Sequence, residues 1–186
     1  MRIVVSDYAA SPQSGGTFSI LEDFYKDVLQ NDFENEWVFI LAGKYFPTSD
    51  NVRIVVRKDL KQSKIKKLFF ELGAGSNFIN QYNPDVFISL QNIATLGIRS
   101  KSKIVYLHQS IPFFQDHRFS FFNKAERKIA LYQRLVGKVI KYTISKVKPT
   151  TIVQTNWMKK AVIQQTQLPA SKIVTVSPRV PVINDD

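Results

Sequence analysis

Short, nearly unbroken apolar runs recur along the chain, separated by polar or helix-patterned stretches. The pattern predicts strands at Arg2–Ser6, Trp37–Leu41, Val52–Val56, Val86–Leu90, Lys103–Leu107, Thr151–Val153 and Ile173–Val176. Most of these runs are continuous Val, Ile, Leu and Phe and do not alternate with polar residues. A strand covered on both faces needs that pattern, and helices on both sides of a parallel sheet supply the cover.

Helical spacing fills the intervals. Phe18, Leu21, Tyr25, Val28 and Leu29 mark a helix after Gly15-Gly16. Leu60–Leu72 reads as a basic helix ended by Gly73 and Gly75, and Asn156–Gln167 as a helix with Asn156 as its N-cap, stopping before Pro169. Phe119–Val147 contains no proline and only Gly137, which predicts one long helix or two with a bend. Strand–helix alternation therefore predicts an α/β fold: a Rossmann-like, doubly wound, mainly parallel sheet of about seven strands. Right-handed crossovers bring the carboxyl ends of parallel strands to one edge, where ligands of such sheets bind. The residues expected there are Asp7, Gly43, Arg57, Gln91, Asn92, His108, Gln109, Thr155 and Ser177.

The chain has 186 residues, 44% of them hydrophobic, which suits one domain with a real core and argues against global disorder. It has no cysteine, so disulfides and thiolate metal sites are excluded, and a reducing compartment fits. The apolar run Ile3–Val5 is too short for a signal-peptide core, and no run approaches the roughly 20 residues of a membrane span. A soluble or peripheral cytoplasmic protein is expected.

The net charge of +11 is concentrated in two places. Residues 118–148 hold nine bases and one acid, Glu126; residues 53–71 hold seven bases and two acids, Asp59 and Glu71. Such clustering implies an anionic partner: phospholipid, nucleic acid or a phosphorylated substrate. In the first segment Lys124, Arg127, Arg134, Lys138, Lys141 and Lys148 recur at helical spacing, with Phe119, Phe121 and Phe122 nearby. The plainer alternative is a solvated helix face. The shortage of acids favours a membrane-facing set of Lys124, Arg127, Arg134, Lys138 and Lys141. No nucleic-acid-binding motif accompanies the charge, so nucleic acid is not the expected partner.

Two places carry candidate chemistry. Ser14-Gly15-Gly16-Thr17 follows the first strand and opens the first long helix, where exposed N–H groups and the helix dipole favour an anion. A turn that uses glycine only for its geometry is the alternative. Neither G-x-G-x-x-G nor the Walker lysine pattern is present, which disfavours a standard dinucleotide or P-loop site. His108, just beyond the fifth strand, can donate a hydrogen bond to a substrate hydroxyl or a developing charge. His117 lies in a polar loop, and two such separated histidines do not make a metal site.

The ordered set Arg2-Ile3-Val4-Val5, Ser14-Gly15-Gly16-Thr17, Asn83-Pro84-Asp85-Val86-Phe87-Ile88-Ser89, Val105-Tyr106-Leu107-His108-Gln109, Thr151–Lys159 and Lys172–Pro178 resembles the N-terminal, acceptor-side domain of GT-B glycosyltransferases, retaining family 4 in particular. The resemblance spans nearly the whole chain and rests on order and spacing. It implies one half of a GT-B fold over residues 1–178, an interdomain linker beginning at 179–186, and a nucleotide-sugar-binding C-terminal domain outside this sequence. It implies that Gly15, Gly16 and Thr17 approach the donor diphosphate and sugar. His108 would touch the donor sugar at the reaction centre, and Gln91, Asn92 and Gln109 would form the acceptor-side rim. No metal or other cofactor is expected, since the nucleotide-sugar is a substrate. The implied role is transfer of a sugar to a glycan or lipid-linked acceptor in surface polysaccharide synthesis, at the inner face of the cell membrane. The chain alone is then expected to be inactive. A non-catalytic basic module for membrane or partner docking, and an acceptor-binding subunit of a bipartite transferase, are the alternatives.

Overall fold

A computed structural model describes residues 1–177, and the linker expected at 179–186 lies outside the described residues. Seven strands form one sheet: β1 (Arg2–Asp7), β2 (Glu36–Leu41), β3 (Val52–Val56), β4 (Val86–Ser89), β5 (Ser102–Leu107), β6 (Thr150–Val153) and β7 (Ile173–Thr175). Their order is β3-β2-β1-β4-β5-β6-β7, and every neighbouring pair is parallel. The fold is α/β, Rossmann-like and doubly wound. All seven strands follow the sequence pattern to within a residue or two.

The central strands are buried on both sides, as their composition requires. Ile3 and Val5 of β1 pack with Trp37, Phe39 and Leu41 of β2 against Leu21, Tyr25 and Val28 of helix α1 (Gly16–Asn31). The alternate residues Val4, Val38, Ile40 and Phe87 pack against Leu60, Phe70 and Ile79 on the opposite face. That face is covered by the short helices α2 (Lys58–Gln62), α3 (Lys64–Phe69) and α4 (Ser76–Asn80). At the other end of the sheet Val105, Leu107 and Val153 meet Ile140, Ile144, Met158 and Val162. Those side chains come from α6 (Gly137–Val147) and α7 (Asn156–Thr166); α5 (Arg127–Leu131) precedes them.

Three helices differ from their expected form. The Leu60–Leu72 helix is broken at Ser63, whose Oγ accepts a hydrogen bond from the Lys66 N–H at 3.3 Å and so caps a new helix. It then ends in a wide turn, Phe70–Ala74, where Gly73 takes φ 125°, a conformation that favours glycine. The helix expected from Phe119 starts only at Arg127. Side chains hold the preceding chain in another form: the buried Gln133 amide donates to the Phe114 and His117 carbonyls at 3.0 and 2.8 Å and accepts from the Phe119 N–H at 3.2 Å, the Glu126 carboxylate accepts from the Ser120 N–H at 2.7 Å, and Arg127 and Arg134 donate to the Phe121 and Phe119 carbonyls. A π-turn at Tyr132–Val136 then separates α5 from α6 and shifts the helical phase of the basic residues on either side. Finally, Thr155, not Asn156, caps α7, accepting from the Met158 N–H at 3.3 Å.

Leu21 is fully buried in the α1 face of the core. Leu21→Ala is expected to cost about 2–5 kcal/mol in urea unfolding. Ile65→Ala, at a position 69% exposed, is expected to change stability by less than about 0.5 kcal/mol.

Candidate functional site

Strand order reverses between β1 and β4, because the chain winds outward from β1 through β2 to β3 and then crosses back to β4. Neighbouring loops diverge at such a point and leave a crevice at the carboxyl ends of the strands. Here that crevice is a cleft of about 430 Å³. Ser14 and Thr17 line it from the loop opening α1, Gln91 and Asn92 from the end of β4, and His108 and Gln109 from the end of β5. Asp7 forms part of its floor, and Lys67 of α3 and Lys128 of α5 reach it from the helices.

The glycine loop is shaped by a short turn. Ser11 and Ser14 bond reciprocally across the 3₁₀ turn Pro12–Ser14, with the Ser14 N–H donating to the Ser11 carbonyl at 2.7 Å and the Ser11 N–H to Ser14 Oγ at 3.1 Å. Gly15 then adopts φ 59° and ψ −134°, a region that excludes a side chain. Apart from the adjoining residues and the helix's own backbone, no protein atom lies within 4 Å of where a Cβ on Gly15 or Gly16 would stand, so the backbone here faces open space. The Gly15 carbonyl accepts from the N–H groups of Phe18 and Ser19, while those of Gly16 and Thr17 belong to the first turn, which has no partner within a helix.

Beneath the cleft lies a buried polar network. Glu71, wholly inaccessible to solvent, sits on the wide turn after α3. It accepts hydrogen bonds from the Tyr8 hydroxyl, from Thr95 Oγ1 at 2.5 Å and from Gln91 Nε2 at 3.4 Å. Burial pushes its carboxyl above the ordinary range, opposed by the Thr95 and Tyr8 hydrogen bonds and by the charge of Lys67. Lys67 lies 5.5 Å from the Tyr8 ring centre, and desolvation lowers its ammonium pKa. The Asp7 carboxyl is pushed up to about 7 by desolvation, even though the Ala10 N–H donates to it at 3.1 Å and Lys67 attracts it. The floor thus carries a carboxyl poised to gain or lose a proton near neutrality.

Asn92 organises the side of the cleft. Its backbone takes φ 65°, in the left-handed region that asparagine tolerates. Its Oδ1 accepts from the N–H groups of His108 and Gln109 at 2.7 and 2.8 Å, and its Nδ2 lies 3.2 Å from His108 Nε2. Burial lowers the His108 pKa, which favours the neutral ring.

Gln91, Asn92, His108 and Gln109 thus meet in one cleft with Thr17, and Gly15-Gly16 lies between two of its lining residues. Other residues expected at the edge have structural roles. Arg57 pairs with Asp59 at 2.8 Å and stacks on Phe70 and Phe78, Gly43 lies under the Tyr45 ring, and Thr155 caps α7. Among the basic residues expected to face a membrane, Lys124, Arg127 and Lys138 are exposed. Arg134 instead donates to the Phe119 carbonyl and lies 4.7 Å from the Phe121 ring centre, and Lys141 lies half-buried over Phe113. Sequence reading missed Lys67 and Lys128 as cleft residues, since both sit in basic helical segments where nothing distinguishes them from their neighbours.

No family model matches the chain, and no curated protein matches it. Among solved structures it is similar to a dTDP-glucose 4,6-dehydratase from Bacillus anthracis in complex with NAD, at 12% identity and a TM-score of 0.41. That match covers 83% of this chain and 54% of the dehydratase, so the chain spans about half the length of that protein. It is also similar to an E. coli heptosyltransferase with ADP, at 7% identity and a TM-score of 0.27, covering 98% of this chain and 76% of that one. At these scores neither similarity bears on function.

The raised pKa of Asp7 sets a pH test. Between the ordinary carboxylate range and about pH 7 the folded protein holds a proton on Asp7 that the unfolded chain has lost. The contribution of Asp7 to stability therefore falls as pH rises through that window. Asp7→Asn, which keeps the acceptor for Ala10, is expected to be more stable than the wild type at pH 8, with the difference shrinking towards pH 5 in urea unfolding.

Proposed function

We propose that this chain is the acceptor-side half of a GT-B glycosyltransferase that moves a sugar from a nucleotide-sugar to a glycan or lipid-linked acceptor. The observation that carries the reading is the composition of the switch-point cleft. Hydroxyls (Ser14, Thr17), amides (Gln91, Asn92, Gln109), one imidazole (His108) and two ammonium groups (Lys67, Lys128) surround a single open space, whose wall is completed by Asp7, Tyr132 and the apolar Ala9, Leu90, Ile111 and Ile129. Amides and hydroxyls suit a sugar, which presents donors and acceptors at close spacing. Ammonium groups and a helix N-terminus suit a phosphate. A sugar phosphate combines both.

In this reading the Gly15-Gly16 backbone and the first turn of α1 take the donor diphosphate. His108 donates to the donor sugar, and Gln91, Asn92 and Gln109 contact the acceptor. Of the candidate groups, the lysines and helix N–H groups stabilise charge that grows on the leaving phosphate. The motif order that resembles family 4 supports a retaining transfer without a metal or bound cofactor, in which the departing phosphate assists removal of the acceptor proton. A second domain would complete the nucleotide-sugar site.

Docking on an anionic membrane belongs to the same proposal, with cytoplasmic placement and surface polysaccharide synthesis as its setting. Ile65, Leu68, Phe69 and Leu72 are exposed beside Lys61, Lys64 and Lys66, and Phe122, Leu131 and Leu135 beside Lys124, Arg127 and Lys138. Apolar side chains among lysines match the interface of an anionic bilayer. No helix among the described residues is long and apolar enough to cross a membrane.

Titration calorimetry with glucose 1-phosphate tests the cleft. Saturable binding is expected, with affinity roughly tenfold weaker in Lys128→Glu, as suits the loss of one charge-assisted contact. Unchanged binding in that variant, or none in the wild type, would contradict the reading. The surface is tested by sedimentation with phosphatidylglycerol vesicles. Ile65→Asp with Phe69→Asp is expected to abolish binding at an unchanged thermal midpoint, and full retention would exclude this face.

A further inference from the structure

The hydrogen bonds around Asn92 determine which way its amide points. Two backbone N–H groups, those of His108 and Gln109, converge on one end of the amide at 2.7 and 2.8 Å. Only the carbonyl oxygen can accept them, so that end is Oδ1 and the other is the NH₂ group. The NH₂ group then faces His108 Nε2 at 3.2 Å. An amide NH₂ only donates, so Nε2 must be a lone pair. A neutral imidazole carries one proton, and with Nε2 bare that proton is on Nδ1.

We infer that Asn92 is a positioning residue that fixes His108 as its neutral Nδ1–H tautomer and thereby sets the polarity of the hydrogen bond the ring offers a ligand. Nδ1 is shielded from solvent and has no hydrogen-bond partner among the described residues. An N–H left in that state is costly, and a ligand whose seating uncovers Nδ1 and brings an acceptor oxygen to it, either a sugar hydroxyl or a phosphate oxygen, is favoured because no water has to be stripped from the donor. The ring is thus set as a donor before any ligand arrives. Its functional consequence rests on His108 facing a ligand, as proposed above; the tautomer itself does not.

The left-handed backbone of Asn92 belongs to the same device. At φ 65° the residue can turn its side chain onto the two N–H groups that end β5. Aspartate also tolerates this conformation and keeps one oxygen for those N–H groups, but it replaces the NH₂ group with a second acceptor. Asn92→Asp therefore reverses one hydrogen bond while leaving the backbone contacts in place.

The measurement is a long-range ¹⁵N–¹H correlation spectrum of the imidazoles, which distinguishes protonated from bare ring nitrogens. The chain has only two histidines, so His117→Gln leaves His108 as the sole signal. His117 is exposed, and the substitution should not disturb the fold. In that background at pH 7.5 the His108 proton is expected on Nδ1, and in His117→Gln/Asn92→Asp it is expected to move to Nε2. A proton on Nε2 or an even mixture with Asn92 present would overturn the inference. So would a proton that stays on Nδ1 in the folded Asn92→Asp variant. If that variant does not fold, the spectrum with Asn92 present decides alone. No ligand is needed, so a failure of glucose 1-phosphate binding with the tautomer as expected would remove the transferase reading and leave this one standing.

Discussion

Seven parallel strands have all their carboxyl ends on one edge of the sheet, and the strand order turns back on itself between β1 and β4. The loops on either side of that reversal leave in opposite directions, and the space between them is the cleft. Every candidate functional group depends on this constraint. The glycine loop follows β1, Gln91 and Asn92 follow β4, and His108 and Gln109 follow β5. Asp7, the last residue of β1, is left on the floor.

The sheet also accounts for titratable groups buried beneath a cleft that is open to water. The turn after α3 carries Glu71 into the core under the end of β1, where Tyr8, Thr95 and Gln91 satisfy its oxygens. Breaking such a network leaves a buried carboxyl without its hydrogen-bond partners, which costs more than the network gains. Glu71 thus links the helical layer to Gln91 in the cleft wall, and Lys67, one turn earlier, lies within electrostatic reach of both Glu71 and Asp7. The positions of the lining groups and the electrostatics of the floor are therefore set together.

The strands were legible in the sequence because burial on both faces leaves an unbroken apolar run, and a run as short and apolar as Trp37–Leu41 suits a buried strand. The edge residues were legible for the same reason, since strand ends give the edge once the sheet is parallel. The helix boundaries were less so. No proline interrupts Phe119–Glu126; its backbone groups go instead to the side chains of Ser120, Asn123 and Glu126 within the segment and of Arg127, Gln133 and Arg134 beyond it. Ser63 and Thr155 were legible in principle as residues that cap helices, but each sits beside other polar residues of similar propensity. Lys67 and Lys128 were hidden by abundance: a lysine that reaches a cleft looks no different in sequence from one that reaches water. The role of Asn92 depends on a positive φ and two backbone partners, neither of which has a sequence signature.

The gap between β1 and β4 is, on this account, where the chain meets a phosphorylated sugar. A crystal structure of the chain with glucose 1-phosphate tests that most directly. The account predicts the phosphate at the first turn of α1, beside Thr17, with the sugar against Gln91, Asn92 and His108. A phosphate held instead by the exposed lysines of α2 and α3, with the cleft unchanged, would contradict it.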